Sequence, residues 1–203
     1  MQLLQMPGTC TDGILVLLEE VGLPYTTRLI DFAKGAQQSP EFLAINPKGK
    51  VPVLVLDDGT VLTQWLAIAT YLASLRPELE LLPTSGLAMA QTLEVVDYIT
   101  ATAHMLGFSR IVRPEKFAER EEDFERASQR GHRLAKESLD VLDRSLDGRR
   151  FAAGEAFSIA DAALFFIEHW SAALLGYELP SNCGAHYALM LERPSVQRLL
   201  AAQ

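Results

Sequence analysis

Asn46-Pro47-Lys48-Gly49-Lys50-Val51-Pro52-Val53-Leu54-Val55-Leu56 is a turn that runs into an apolar strand. Asn-Pro and Lys-Gly are turn chemistry, and the run after Pro52 has the length of a strand. Asp57-Asp58-Gly59 then reads as a hairpin turn into Thr60-Val61-Leu62. From Gln64 to Leu75 the apolar residues return to helical spacing, and they stop before Pro77. Proline cannot donate to a ladder, so Pro52 belongs at an edge or at the first residue of its strand.

Working outward toward the start, Gln2 to Met6 reads as a short strand closed by Pro7-Gly8. Ile14, Leu15, Leu17, Leu18 and Val21 give a helix over about Thr11–Val21, ended by Gly22-Leu23-Pro24. Tyr25 to Ile30 is a β-rich run, and Ser39-Pro40-Glu41-Phe42 reads as a helix start. The first 76 residues are therefore expected to run β-α-β-α-β-β-α, a four-stranded mixed sheet flanked by helices.

Toward the end, no convincing strand follows Pro83. Helices are expected over Gly86–Leu106, over Phe117–Leu146 and from Ser158 onward, with a last one opening at Pro194. Ser158 and Asp161 have the spacing of a capping box. The expected organisation is an α/β domain over 1–76, a linker over 77–85 and an all-α domain over 86–203.

Composition narrows the function. The 203 residues are 49% hydrophobic and 22% charged, as in a soluble globular domain. The formal net charge of −8 argues against a general nucleic-acid binder. The best apolar stretch, Ile159 to Leu175, is interrupted by Asp161, Glu168 and His169, so no membrane span is expected. The start lacks the basic region and long apolar core of a secretory signal, which points to the cytoplasm. Cys10 and Cys183 do not make a disulfide framework.

Three places carry candidate chemistry. Pro7-Gly8-Thr9-Cys10 lies between the first strand and the first helix. Helix-start N–H groups stabilise a thiolate; the plainer reading of Cys10 is a small buried hydrophobe. Gly13 stands where a second cysteine would complete a C-x-x-C pair, so internal disulfide chemistry is not expected. A cis bond at Val51-Pro52 would expose the backbone of Val51 to a ligand. Thr63-Gln64-Trp65 opens a helix whose N–H groups can hold a carboxylate. Among the histidines, His132 is expected in a solvated helical run, His169 in a core or interface, and His186 with Cys183 in a late loop or helix start. Cys183 and His186 alone do not make a metal site, and no metal is expected.

The order of these pieces resembles the cytosolic glutathione transferases over nearly the full length. The resemblance rests on the strand–Pro-Gly-x-Cys–helix opening, Asn46 to Pro52, Leu62-Thr63 leading into Ala67 to Leu72, Phe157 to Asp161, and Arg193 to Val196. The opening looks most like the bacterial beta class. The resemblance implies a thioredoxin-like glutathione-binding domain followed by a helical one, usually as a homodimer, with glutathione as co-substrate and a small apolar electrophile as acceptor in the cleft between domains. It places Val51 and Pro52 at the cysteinyl part of glutathione, Lys34 near its glycine carboxylate, and Gln64 and Trp65 at its γ-glutamyl end. In the second domain it matches His104 to the histidine that approaches the catalytic sulfur, with Asp97 nearby.

One departure stands out. Gln64 and Trp65 replace an acidic residue and a serine. An uncharged partner for the γ-glutamyl ammonium makes a weaker bond, since charge-assisted bonds are about twice as strong. The hydroxyls of Thr9 and Thr11 offer an alternative to Cys10 for stabilising a glutathione thiolate, and Cys10 is favoured by its helix-start position. Cys10 also admits thiol transfer through a mixed disulfide. Three functions compete: a transferase, a non-catalytic binding protein with a retuned site, and a glutathione-dependent isomerase, which a serine-rich opening would have favoured.

Overall fold

The computed structural model describes residues 1–84 and 86–202. By contact the chain divides into two compact units. One comprises the residues up to Thr84 together with those from Leu191 onward, and the other the residues between.

The first unit is the expected thioredoxin-like α/β domain. It contains β1 (Gln2–Gln5), α1 (Thr11–Val21), β2 (Thr26–Leu29), α2 (Pro40–Ile45), β3 (Val53–Val55), β4 (Val61–Thr63) and α3 (Trp65–Leu75). The sheet order is β2-β1-β3-β4, with β1 parallel to β2 and the other pairs antiparallel. Register places Leu3 opposite Leu54 and Leu4 opposite Val53. Successive side chains of a strand face opposite ways. Leu4 and Val53 therefore share one face, where they pack with Ile30 and Phe42. Leu3 and Leu54 share the other, and α1 and α3, which pack on each other, bury Ile14, Leu18, Ile68 and Leu72. Local signals set the helix limits: the Ser39 hydroxyl accepts the Phe42 N–H, Pro40 opens α2, and Gly22 ends α1 in the left-handed region at φ 67°.

The second unit is helical. α4 (Gly86–Asp97) passes into a π-helical stretch (Tyr98–Phe108) and then α5 (Ser109–Val112). α6 (Phe124–Ser145), α7 (Ile159–His169) and α8 (Ser181–Leu191) follow. α7 starts on the expected capping box: Asp161 accepts the Ser158 N–H at 2.7 Å, and the Ser158 hydroxyl accepts the Ala160 N–H at 3.2 Å.

Two expectations are corrected here. α6 begins at Phe124, not Phe117, because the segment before it folds into short 3-10 turns held by local charges: Arg113 pairs with Glu115, and Arg120 with Glu122 and Asp123. The helix expected over Gly86–Leu106 changes pitch at Tyr98. Cys183 stands in the first turn of α8, the helix start expected, with His186 one turn further into this helix of low amphipathicity. Its start is capped from afar: Asp143 of α6 accepts the N–H groups of Asn182 and Cys183 at 2.7 and 3.0 Å.

The last helix, α9 (Pro194–Ala201), packs on α1 in the first unit and buries Val196 and Leu199. No helix among the described residues is long and apolar enough to cross a membrane.

Candidate thiol-handling site

Three loops of the first unit meet at Cys10. The first is the 7–10 turn after β1. Cys10 is the residue before α1 and is only 7% exposed. Its thiol donates to the Val51 carbonyl, with the sulfur 3.9 Å from the oxygen. Burial pushes the thiol up to about 12, and the charge of Asp12 adds to that. A backbone hydrogen bond and the charge of Lys50 pull the other way without prevailing. The helix-start effect expected for a thiolate is therefore outweighed by desolvation, and Cys10 stands as a neutral S–H donor.

Thr9 and Thr11 brace the same turn. The Thr9 hydroxyl donates to the Met6 carbonyl at 2.7 Å, and that of Thr11 reaches the same oxygen at 2.8 Å. The two hydroxyl oxygens are 2.8 Å apart. Each hydroxyl has one proton, so the Met6 carbonyl already takes what these residues would offer a thiolate.

The second loop is the 46–52 turn. The Asn46 amide donates to the Lys50 carbonyl at 2.6 Å and its oxygen accepts the Lys48 N–H at 3.2 Å. Gly49 has φ 61°, in the left-handed region that favours glycine. The turn delivers Val51 and the buried Pro52, and the Val51-Pro52 bond is cis. It also brings two cations that sequence reasoning missed. Lys50 acts on Cys10 through its charge, and the Lys48 amine donates to the Thr63 hydroxyl at 2.5 Å. The signal was present in Lys48-Gly49-Lys50, read as turn chemistry and as part of the family resemblance but not for its charge. Lys34, by contrast, points outward, 83% exposed, and pairs with Asp31 on its own loop at 3.2 Å.

The third loop leads into α3. Gln64 holds φ 77° and ψ 132°, a region that non-glycine residues rarely occupy. Such strain persists where the surroundings impose it, often at ligand sites. The exposed Gln64 side chain faces solvent while Trp65 turns inward, 5% exposed. The Trp65 indole N–H donates to the Cys10 carbonyl at 2.9 Å. Cys10, Val51 and Trp65 are thus brought together.

In the second unit, Asp97 is exposed at the end of α4. His104 is half-buried on the π-helical stretch, edge-on to Phe166 and Trp170 at ring separations of 5.7 and 5.1 Å. Phe108 packs on Trp170 as core, whereas Met105 is exposed. His132 is half-buried, not solvated, and is hydrogen-bonded to Tyr177. His169 is half-buried, hydrogen-bonded to Tyr187 and stacked on Phe165. Among the described residues no group of three or more His, Cys, Asp or Glu is placed to hold a metal ion. A cavity of about 540 Å³ lies elsewhere in the first unit, between Gln5, Leu15, Tyr25 and Arg198, and none of the candidate residues lines it.

A β-α-β-α-β-β-α unit with a cysteine at its first helix start, set against the carbonyl before a strand-leading proline, defines a thioredoxin-like α/β domain. The chain belongs to the glutathione S-transferase family: residues 8–75 match its N-terminal domain and residues 125–202 its C-terminal domain. It is 34% identical over 206 residues to glutathione S-transferase GstA of Escherichia coli O157:H7, a match that covers 100% of this chain and 98% of the relative. A solved glutathione transferase homolog from Sulfitobacter with bound glutathione superposes with a TM-score of 0.91 at 30% identity, covering 99% of this chain and 97% of the other. The bacterial beta class glutathione S-transferase of Sphingomonas chungbukensis gives 0.85 at 30% identity, covering 100% and 98%.

Proposed function

We propose that the protein is a cytoplasmic glutathione transferase that conjugates glutathione to small apolar electrophiles, a detoxification chemistry, and works as a homodimer. The observation that carries this reading is the buried Cys10 thiol donating to the Val51 carbonyl beside the start of α3. Glutathione needs its thiolate favoured over its thiol, and a donor that bonds only the charged form does this. In the proposed mechanism the Cys10 S–H turns from Val51 to the glutathione sulfur, and the charge of Lys50 supports the anion. The freed backbone of Val51 pairs with the cysteinyl part. The Gln64 side-chain oxygen accepts from the γ-glutamyl ammonium, and the N–H groups of the first turn of α3 take the γ-glutamyl carboxylate. Lys34 is assigned to the glycine carboxylate, Asp97 to glutathione binding and His104 to the reaction, on the resemblance. Thiol transfer through Cys10 is the secondary activity, since a neutral, buried thiol is a poor nucleophile. For the dimer, the family resemblance is joined by the edge position of β4 and the exposed Val61 and Leu79.

Titration calorimetry of the wild-type chain and of Gln64→Glu tests the reading. The expected result is glutathione binding at millimolar concentration by the wild type and about tenfold tighter binding by Gln64→Glu, because a charged acceptor replaces a neutral one. No binding to the wild type, with binding restored in Gln64→Glu, would mean that the site serves another ligand.

A further inference from the structure

Trp65 does something that a serine at the start of α3 does not. Its indole reaches 2.9 Å from the main chain of Cys10, 55 residues away, and the bond is buried. The Cys10 side chain makes no capping bond to α1, so it does not anchor its own turn. The turn is held from below by the Thr9 and Thr11 hydroxyls on Met6 and from α3 by the indole. From the turn so held, the Cys10 thiol points to the Val51 carbonyl.

We infer that Trp65 is a positioning residue: its indole N–H pins the Cys10 turn and keeps the thiol a buried hydrogen-bond donor, biasing the site toward conjugation over attack by Cys10 itself. This rests on the proposed function for its consequence in catalysis, whereas the state of the Cys10 thiol is read without glutathione. The inference also links the two ends of the site. Contacts made at Gln64 and at the first turn of α3 act on the same residue whose ring holds Cys10. The charged groups acting on the Cys10 sulfur are Asp12 on α1 and Lys50 on the 46–52 turn.

The test is alkylation of Cys10 by iodoacetamide in the wild type and in Trp65→Phe, followed by mass spectrometry of the Cys10 peptide from pH 6 to 10. In this reaction the sulfur–carbon bond forms, iodide leaves and the thiol proton passes to water. Phenylalanine keeps an aromatic ring and removes the donor. A neutral buried hydrogen bond of this kind is worth about fivefold in an equilibrium. Trp65→Phe is therefore expected to alkylate about fivefold faster at pH 8, with its rising rate profile over pH 6 to 10 displaced toward lower pH, and to lose about fivefold in kcat for conjugation. Wild-type rates and an unmoved pH profile in a folded Trp65→Phe would overturn the inference. If Trp65→Phe does not fold, the wild type is read directly: the Trp65 indole N–H resonance is expected to move on alkylation of Cys10, and an unmoved resonance overturns the inference. Failure of the wild type to bind glutathione in calorimetry would instead count against the proposed function and leave the alkylation result standing.

Discussion

His186 lies between two carboxylates in the core of the helical unit. Its Nδ1 is 2.8 Å from Glu168 Oε2 and its Nε2 is 3.1 Å from Asp161 Oδ1, and all three side chains are buried. Burial alone would lower the histidine, but the charge of Glu168 and the hydrogen bonds to both carboxylates outweigh it and raise His186 to about 10. Burial also raises Glu168, to about 7, against the pull of His186. Both groups therefore hold their protons to higher pH in the folded chain than in the unfolded one, and stability falls as pH rises. The Glu168 part is lost between about pH 4.5 and 7 and the His186 part between about pH 6.5 and 10. The melting temperature of the wild type is expected to fall from pH 5 to pH 9, and Glu168→Gln/His186→Gln is expected to reduce that slope by at least about half. Identical slopes in the two proteins would remove this network as the source. Asp161 was legible from its spacing to Ser158. Its bond to His186 was not, because residues 18 and 25 positions apart in sequence meet only after α7 and α8 have packed. The same holds for Trp65: its place at a helix start was readable, but the reach of its indole to Cys10 depends on how α1 and α3 lie together.

At the scale of elements, α6 crosses the π-helical stretch and α5 at a point built from two glycines. A Cβ on Gly131 would stand 2.9 Å from the Gly107 carbonyl oxygen, 2.9 Å from the Ile111 nitrogen and 2.8 Å from Arg110 Cβ. Two of these are backbone atoms of the neighbouring segment, which yield little. In an exposed helix interior, alanine for glycine stabilises by about 1 kcal/mol. At Gly131 the overlap costs more, since overpacking in a tight contact costs about 1–3 kcal/mol. Gly131→Ala is expected to destabilise by up to about 2 kcal/mol net, measured by urea unfolding against the exposed control Gln129→Ala. A stabilised Gly131→Ala would mean that the crossing is looser than its geometry. The elements of the first unit were legible because each has its own punctuation: Pro7-Gly8, Gly22, Ser39-Pro40, Asp57-Asp58-Gly59. In the second unit the reading faltered where local signals stop deciding. α8 has weak amphipathicity and takes its cap from Asp143, about 40 residues earlier, so nothing within the helix announces its start. The π-helical stretch keeps apolar residues at near-helical spacing, so its change of pitch is not readable from the pattern; it packs against α6 and α7, and His104 within it meets Phe166 and Trp170.

At the scale of the whole chain, the ends of the sequence close on one another in a way that a linear division into an α/β and a helical half does not show. Arg193, just before α9, donates from Nε and Nη2 to the two carboxylate oxygens of Glu20 on α1, at 3.0 and 2.8 Å. The Ser195 hydroxyl donates to the same carboxylate. Both charged partners are mostly shielded from solvent, so water screens this pair less than an open one. The Arg198–Glu19 pair beside it leaves Arg198 more than half exposed, and exposed pairs contribute at most about 1 kcal/mol. The two clamps should therefore differ. Glu20→Ala removes the carboxylate that accepts two bonds from Arg193 and one from the Ser195 hydroxyl. It is expected to cost about 2–3 kcal/mol, whereas Arg198→Ala is expected to cost under about 1 kcal/mol. Urea unfolding followed by far-ultraviolet circular dichroism measures both. Because α9 buries Val196 and Leu199 in the first unit, the loss in Glu20→Ala should appear in the unfolding of the α/β unit that carries Cys10, and iodoacetamide alkylation of that thiol should speed up in the same range of urea. A Glu20→Ala chain as stable as Arg198→Ala would show that the buried apolar face of α9, without the Glu20 clamp, is enough to hold the end of the chain to its beginning.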